Sequence, residues 1–508
     1  MTVDKFSDYQ VGAMGIEMAL DMATSVYPDR LAVGRRSDGM TYRQLSDAAA
    51  GGVTVLRELG ARDLVFVGVN SAALPVLVFS AARAGVRFAP LNYRLATDQL
   101  IELVAQLDDP IVVADAAFQD KLAGAAPTVL TTDEFTARAK AAPATEAVPA
   151  ADDQTAIVLF TSGTTSAPKG VLLRHQHLLS YLLNTVEFGS AGEEQATLVS
   201  TPPYHIAGMG AVLSNVYSAR RMVHLPDFTP QSWLDLVREE AITSAMVVPT
   251  MLARVVQHLD GAPADTPALE SLAYGGARMP QPVLENALAA FPQTGFVNAY
   301  GLTETSSTIA VLGPEDHREA LADPALRSRL GSVGRIVPGM EVEIRDEADH
   351  VLSDGETGLL WVRGAQVSGE YMGKGSALDG QGWFPTRDQA RVEGEFLYIG
   401  GRADDTIIRG GENIAPAEIE DVLVHHPSVQ ETAVIGMPDD EWGERICAVI
   451  VVKGNDIPDP EAIRDWCRAR LRGSRTPDEV VFVDELPKTA TGKLVRRDLA
   501  AQITTPHL

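Results

Sequence analysis

Four short stretches of this chain combine residue types that could handle phosphate, metal and acyl chemistry. The first is Thr161-Ser162-Gly163-Thr164-Thr165-Ser166-Ala167-Pro168-Lys169-Gly170, which follows the apolar run 156–160. Backbone N–H groups and hydroxyls on a glycine-bearing loop can wrap a polyphosphate, and Lys169 adds a compact positive charge. The phosphate loop of ordinary nucleotide hydrolases needs Gly before the lysine and Ser or Thr after it. Pro168 and Gly170 stand there instead, which removes that reading and leaves a different phosphate loop or a polar surface turn. In the second stretch, Thr303 and Glu304 set a hydroxyl beside a carboxylate, a suitable site for a hard cation that shares oxygen ligands with a phosphate. In the third, Asp388 reads by itself as a solvated turn residue or as an acceptor for two vicinal O–H donors. In the fourth, Pro487-Lys488-Thr489-Ala490-Thr491-Gly492-Lys493 carries an ammonium on a turn, able to stabilise charge that builds during phosphoryl chemistry.

The elements that must position these residues are legible in outline. At 508 residues the chain exceeds one ordinary domain, so a large domain with substructure and a smaller partner are expected. Apolar runs alternate with amphipathic stretches in the first half, as in 64–69, 72–84 and 86–90, which is the rhythm of an α/β domain. The Ala-, Pro- and Thr-rich segment 139–153 reads as a surface linker. Short alternating runs with Gly and Asp-Gly turns between 331 and 400 predict a small antiparallel sheet or barrel. Beyond Asp404 a compact unit follows. Pro416 opens a helix with Ile419, Val422 and Leu423 on one face, 433–436 and 447–452 read as strands, and 459–471 is a second helix.

Charge and composition exclude several classes of function. With 68 acidic against 42 basic side chains, the formal net charge is -26, which argues against nucleic-acid binding and against adhesion to an anionic membrane. The stretch 72–82 is too short to span a bilayer, and the N-terminus lacks a basic region followed by an apolar core, so a cytoplasmic enzyme without an integral membrane segment is expected. Cys447 and Cys467 have neither metal-site nor disulfide spacing and read as buried thiols.

Taken together, the loop 161–170 and the segments around Tyr274, Tyr300, Asp388, Arg402 and Lys493 resemble, in order and over essentially the whole chain, the adenylate-forming superfamily of acyl-CoA synthetases, peptide-synthetase adenylation domains and luciferases. The resemblance implies that Thr161, Ser162, Gly163, Thr164, Thr165 and Lys169 bind the phosphates of ATP and that Gly275, Gly276 and Ala277 line the adenine. It implies further that Tyr300 and Gly301 belong to the nucleotide site, that Thr303 contacts a phosphate, and that Glu304 binds Mg²⁺. Asp388 and Arg402 would hold the ribose, Gly410 and Gly411 would approach the pantetheine arm of coenzyme A, and Lys493 would be the catalytic lysine. Asp404 would be the hinge between an N-terminal domain, 1–403, with a β-rich subdomain at 331–400, and a mobile α+β domain, 404–508.

Pro203, Tyr204 and His205 resemble the region shaping the acid pocket, with His205 as its gate. The absence of an acidic residue there favours an acid without an α-amino group. Two residues depart from the family pattern, Ser166 and Arg387, each standing where glycine is usual. The function implied is an acyl-CoA synthetase working through an acyl-AMP and releasing pyrophosphate. An acyl-AMP ligase serving a carrier protein and a non-catalytic nucleotide-binding regulator are the alternatives. Assembly as a homodimer is left open by the sequence.

Overall fold

The computed structural model describes residues 14–151, 153–161, 168–409, 412–439, 442–454, 456–489 and 494–504. Two large α/β sheets, a small antiparallel sheet and a C-terminal five-stranded sheet make up the described fold. In the first large sheet, six parallel strands lie in the spatial order Gly295–Leu302, Ser271–Gly275, Ser244–Val247, Ala196–Val199, Arg221–His224 and Leu31–Val33. The second has five parallel strands, of which Asp63–Val67 sits between Arg87–Pro90 and Pro110–Ala114. Near-continuous apolar sequences such as Leu64-Val65-Phe66-Val67 follow from burial on both faces. Helices Tyr42–Glu58, Ala73–Ala84 and Ile206–Tyr217 share one core with residues from both sheets, which fixes the sheets against each other.

The polar decapeptide closes a hairpin. Strands Thr155–Thr161 and Lys169–Arg174 pair antiparallel with Thr161 opposite Lys169, so the loop returns directly onto its own sheet instead of leading into a helix. Residues 162–167 lie outside the described residues, and the reading of Ser162, Gly163, Thr164, Thr165 and Ser166 lies there with them.

The expectation for 331–400 needs correction. Only Met340–Arg345, Gly358–Gly364, Phe384–Glu393 and Phe396–Arg402 form the small antiparallel sheet. Arg335–Ile336 extends the first large sheet, and Glu370–Tyr371 adds to the second by pairing with the hairpin strand Lys169–Arg174. Alternating sequence marks a strand but says nothing of which sheet completes its hydrogen bonds. The linker also starts later than expected, since helix Thr132–Ala141 runs into it. The segment then packs down, with the Val148 N–H bonded to the Arg83 carbonyl at 2.8 Å.

The C-terminal unit follows its sequence pattern closely. Helices Pro416–Leu423 and Pro460–Arg468 pack on strands Val429–Asp439 and Gly443–Val452, and both cysteines are free and buried. Burial pushes the Cys467 thiol up to about 11, so it stays protonated and inert.

Two histidines open helix His175–Thr185 and are buried, at 3% and 9% exposure. His175 Nδ1 accepts the Ile16 N–H at 3.0 Å, tying the N-terminal segment to the core. Burial lowers both pKa values to about 4. Between about pH 6.5 and 4 the unfolded chain therefore binds more protons than the folded one, and stability must fall as the pH drops through that window. We expect the urea midpoint to decrease steadily from pH 6.5 to 4.5, and the His175→Gln variant to show a shallower decrease. A midpoint constant over this range would contradict the burial argument.

Candidate active site

Three sheet elements meet at one buried carboxylate. Asp388, 5% exposed, lies opposite Arg402 in register between strands Phe384–Glu393 and Phe396–Arg402. One of its oxygens pairs with Arg402 Nε at 3.0 Å, and the other accepts a short hydrogen bond from the Tyr300 hydroxyl at the end of the first large sheet. Thr386 locks the strand. Its hydroxyl accepts the Asp388 N–H at 3.1 Å and donates to the Leu360 carbonyl at 2.8 Å, while Arg402 Nη1 donates to the Thr386 carbonyl at 2.9 Å. Burial and the Asp388 carboxylate raise the Tyr300 pKa well above its ordinary value, so the phenol remains a donor. Asp388 is thus a buried strand residue, not a solvated turn residue.

Glu304 sits where strand Gly295–Leu302 breaks into the turn Thr303–Thr305. Glycine is required just before it, because a Cβ at Gly301 would lie 1.8 Å from the Ser307 carbonyl oxygen. Just after it, Ser306 and Ser307 take positive φ values of 56° and 129°, strain that the surrounding bonds must hold. Thr305 Oγ1 accepts the Leu302 N–H and donates to the Ser307 carbonyl, and Gln366 Nε2 donates to the carbonyls of Thr305 and Thr308. The Glu304 carboxylate accepts the Tyr371 hydroxyl at 2.9 Å. Tyr371 reaches it because its strand pairs with the hairpin at Val171 and is pinned there by the two-pronged Arg174–Glu370 ion pair. Lys169 Nζ lies 5.8 Å from the centre of the Tyr371 ring. Lys169, Tyr371 and Glu304 therefore form one cluster. Glu304 offers a single hard carboxylate, a donor that would fit Mg²⁺ sharing oxygen ligands with a phosphate.

The Gly275-Gly276-Ala277 turn adjoins this cluster, since Gly275 pairs with Ala299, the neighbour of Tyr300. A Cβ on Gly275 would lie 2.2 Å from the Ala299 carbonyl oxygen, and Gly276 has φ of 81°. Gly275, Tyr300 and Glu304 lie at or just beyond the C-terminal ends of the parallel strands Ser271–Gly275 and Gly295–Leu302, the usual ligand side of an open α/β sheet. His205 precedes helix Ile206–Tyr217, whose Gly210 faces the Ser307 side chain across the same turn. Its ring rests 4.7 Å from that of Tyr204, which in turn meets Tyr93 edge-on at 5.6 Å. Burial, with Arg94 nearby, lowers the His205 pKa to about 4, so the ring is neutral at pH 7.

Asp404 lies exposed in the turn Ala403–Asp405, and Arg387 Nη1 is 4.0 Å from its carboxylate. Gly410, Gly411 and Lys493 lie outside the described residues.

Sequence reasoning missed Tyr371, which reads as an ordinary strand residue, together with Gln366 and the two strained serines. The only signal for Tyr371 was a Glu370-Tyr371 pair set between glycine turns. Arg387 was noticed as a departure, and its cause for notice is now physical: it holds φ of 62°, where glycine has no steric cost. Replacing it by glycine removes roughly 1 kcal/mol of strain, offset by a similar entropy cost in the unfolded chain and by an exposed ion pair of at most about 1 kcal/mol. We expect Arg387→Gly to melt within a few degrees of the parent and Arg387→Val to be about 1–2 kcal/mol less stable than Arg387→Gly. Equal stability of the glycine and valine variants would show that the backbone relaxes out of this conformation.

Comparison with known proteins shows the family. The model of the AMP-binding enzyme family matches residues 20–372, and that of the AMP-binding enzyme C-terminal domain matches 418–493. A feruloyl-CoA synthase from an Amycolatopsis species is 32% identical over 497 residues, covering 93% of this chain and 96% of that protein. An indoleacetate–CoA ligase from Aromatoleum aromaticum is 29% identical over 511 residues, covering 95% and 97%. Among solved structures, ATP-bound MatB from Rhodopseudomonas palustris superposes with a TM-score of 0.86 at 27% identity, covering 97% of this chain and all of that one. The o-succinylbenzoate CoA synthetase of Bacillus subtilis, in complex with its acyl-adenylate intermediate, gives 0.82 at 27%, covering 95% and 97%. With a family match over most of its length and curated relatives that are CoA ligases, this chain belongs to the AMP-binding enzyme family and is an AMP-forming acid–thiol ligase.

Proposed function

We propose that the cleft at the edge of the first large sheet joins a carboxylic acid without an α-amino group to coenzyme A in two steps on one site. The observation that carries this reading is the convergence of Lys169, Tyr371 and Glu304 beside the Tyr300–Asp388–Arg402 junction. Lys169 and the loop 161–170 bind the polyphosphate of ATP. Asp388, held rigid by two partners, accepts the ribose hydroxyls, and Arg402 orients that carboxylate. The Gly275-Gly276-Ala277 turn lets adenine lie against backbone. Glu304, oriented by Tyr371, is the residue that would hold Mg²⁺, which when bound neutralises phosphate charge.

In the first step a carboxylate oxygen of the acid attacks the α-phosphorus. The bond from phosphorus to the bridging oxygen breaks, and pyrophosphate leaves. Thr303 and Lys493 stabilise the charge that develops there. In the second step the thiolate of coenzyme A attacks the acyl carbonyl and AMP leaves. Neutral His205 walls the acid pocket without adding a charge that would hold the carboxylate away from phosphorus. The relatives named above act on feruloyl and indoleacetate substrates, which supports an acid carrying an unsaturated or aromatic body. Free buried thiols support a reducing, cytoplasmic setting, and among the described residues no helix is long and apolar enough to cross a membrane.

We divide the chain into 1–403 and 404–508, with Asp404 as pivot. In the arrangement seen here, the C-terminal helix Pro416–Leu423 is tethered to the turn after Ala277 by the Arg278–Asp421 ion pair, and Arg496 pairs with Asp405 at 3.4 Å. Rotation would break the first contact, bringing Lys493 to the phosphates in one state and the Gly410-Gly411 loop to the thiol in the other. Lys493→Ala is therefore expected to lose adenylate formation by at least a hundredfold while keeping thioester formation from pre-made acyl-AMP. Asp404→Pro, which restricts the pivot, should show the reverse. Equal losses in both steps for both variants would overturn the two-state reading.

A further inference from the structure

One buried histidine plays no part in the chemistry above. His224 ends the strand Arg221–His224, and neither Nδ1 nor Nε2 has a hydrogen-bond partner among the described residues although both atoms are sealed from solvent. A buried polar group without a partner costs free energy, so its persistence asks for a ligand or ordered water.

Strand alternation places His224 on the same face as Met222, which packs into the core shared with helix Ile206–Tyr217, while Val223 faces the opposite core. On that face, register builds a row across the sheet. Val199 lies beside His224, the Thr197–Ser244 and Leu198–Ala245 pairs set Met246 next to Val199, and Met246, Ala273 and Val297 follow in turn. Ala245, Val247, Leu272 and Phe296, on the other face, are buried, and on this face Val199 is buried too, whereas Met246, Ala273 and Val297, and His224 outside its two ring nitrogens, keep some accessible surface. A sheet face covered by a helix yet still accessible lines a space. From Ala273, two residues before the Gly276 turn, to His224 is three strand spacings, roughly 14 Å.

Polar groups without partners among the described residues lie beyond Val199, past the C-terminal end of its strand. Asn70, 3% exposed, donates from Nδ2 to the carbonyl of Thr201 at 2.9 Å, two residues beyond Val199, while its Oδ1 and the neighbouring Ser71 Oγ have no partner among the described residues. The Tyr204 hydroxyl, next to His205, is likewise buried without one. A channel built for a hydrocarbon tail would end in aliphatic side chains.

Building on the ligase reading, we propose that this slot continues the acid pocket and that His224 reads the end of the acid remote from its carboxyl, selecting an uncharged hydrogen-bonding group such as a hydroxyl, phenol or carbonyl. Burial alone lowers the His224 pKa to about 4, so at pH 7 the ring presents one donor and one acceptor, which match such a group better than a second carboxylate.

The test compares acids matched in length and shape: 4-hydroxycinnamate with 4-methylcinnamate, and 10-hydroxydecanoate with undecanoate. Pyrophosphate release is measured with ATP and coenzyme A. The full-length enzyme is expected to favour the hydroxylated member of at least one pair by tenfold or more in kcat/KM. His224→Leu should reverse that preference and His224→Gln should keep part of it. Preference for the methyl member in both pairs, or an equal loss toward both members in His224→Leu, would overturn the proposal while leaving the ligase reading intact. The parent enzyme's ratio decides the matter even if the leucine variant does not fold. Failure of every acid in both series to release pyrophosphate would instead bring down the ligase reading and the proposal together.

Discussion

The Asp388 carboxylate is taken out of water, and everything around it follows from the need to pair that charge. A buried carboxylate without partners would cost several kcal/mol or take up a proton. Here the Tyr300 phenol and the Arg402 guanidinium meet it from two different sheets. Tyr300 belongs to the strand that leads into the turn carrying Thr303 and Glu304, whereas Arg402 is the last residue before the turn that carries Asp404. One charge thereby fixes the C-terminal end of the strand Gly295–Leu302, the small antiparallel sheet and the root of the C-terminal unit relative to one another. A second junction, Tyr371 with Glu304, draws the hairpin lysine into the same place.

This arrangement also reconciles the overall charge with anionic ligands. A chain of net charge -26 repels nucleotides at long range. The fold answers locally: Lys169, Arg387 and Arg402 all lie near Tyr371, whose phenol engages Glu304, while Asp388 is engaged by the phenol of Tyr300.

Much of the site was legible in the sequence because the chemistry demands particular residue types at short spacings. Thr303 beside Glu304, Lys169 after a hydroxyl run, and glycines at 275 and 276 can be read without coordinates. What could not be read are pairings across long separations. Tyr371 and Glu304 are 67 residues apart, and Tyr300 and Asp388 are 88 apart, so no local pattern announces either bond. The 331–400 segment was assigned to one small sheet because alternation fixes which face a residue takes but not which strand lies beside it. Arg387 shows the same boundary: its departure from glycine was visible, while the left-handed backbone that gives the departure its meaning belongs to the fold.

The central claim is that this junction holds the nucleotide for an acyl-adenylation step. Acid-dependent exchange of labelled pyrophosphate into ATP, measured without coenzyme A for the parent enzyme and for Asp388→Asn, tests it most directly. The account predicts exchange by the parent with a suitable acid, and a KM for ATP raised at least about tenfold in a folded asparagine variant, since loss of a charge-assisted bond to ribose is worth about 1.5–3 kcal/mol. Release of ADP and phosphate in place of exchange, or an asparagine variant that saturates with ATP as the parent does, would contradict it.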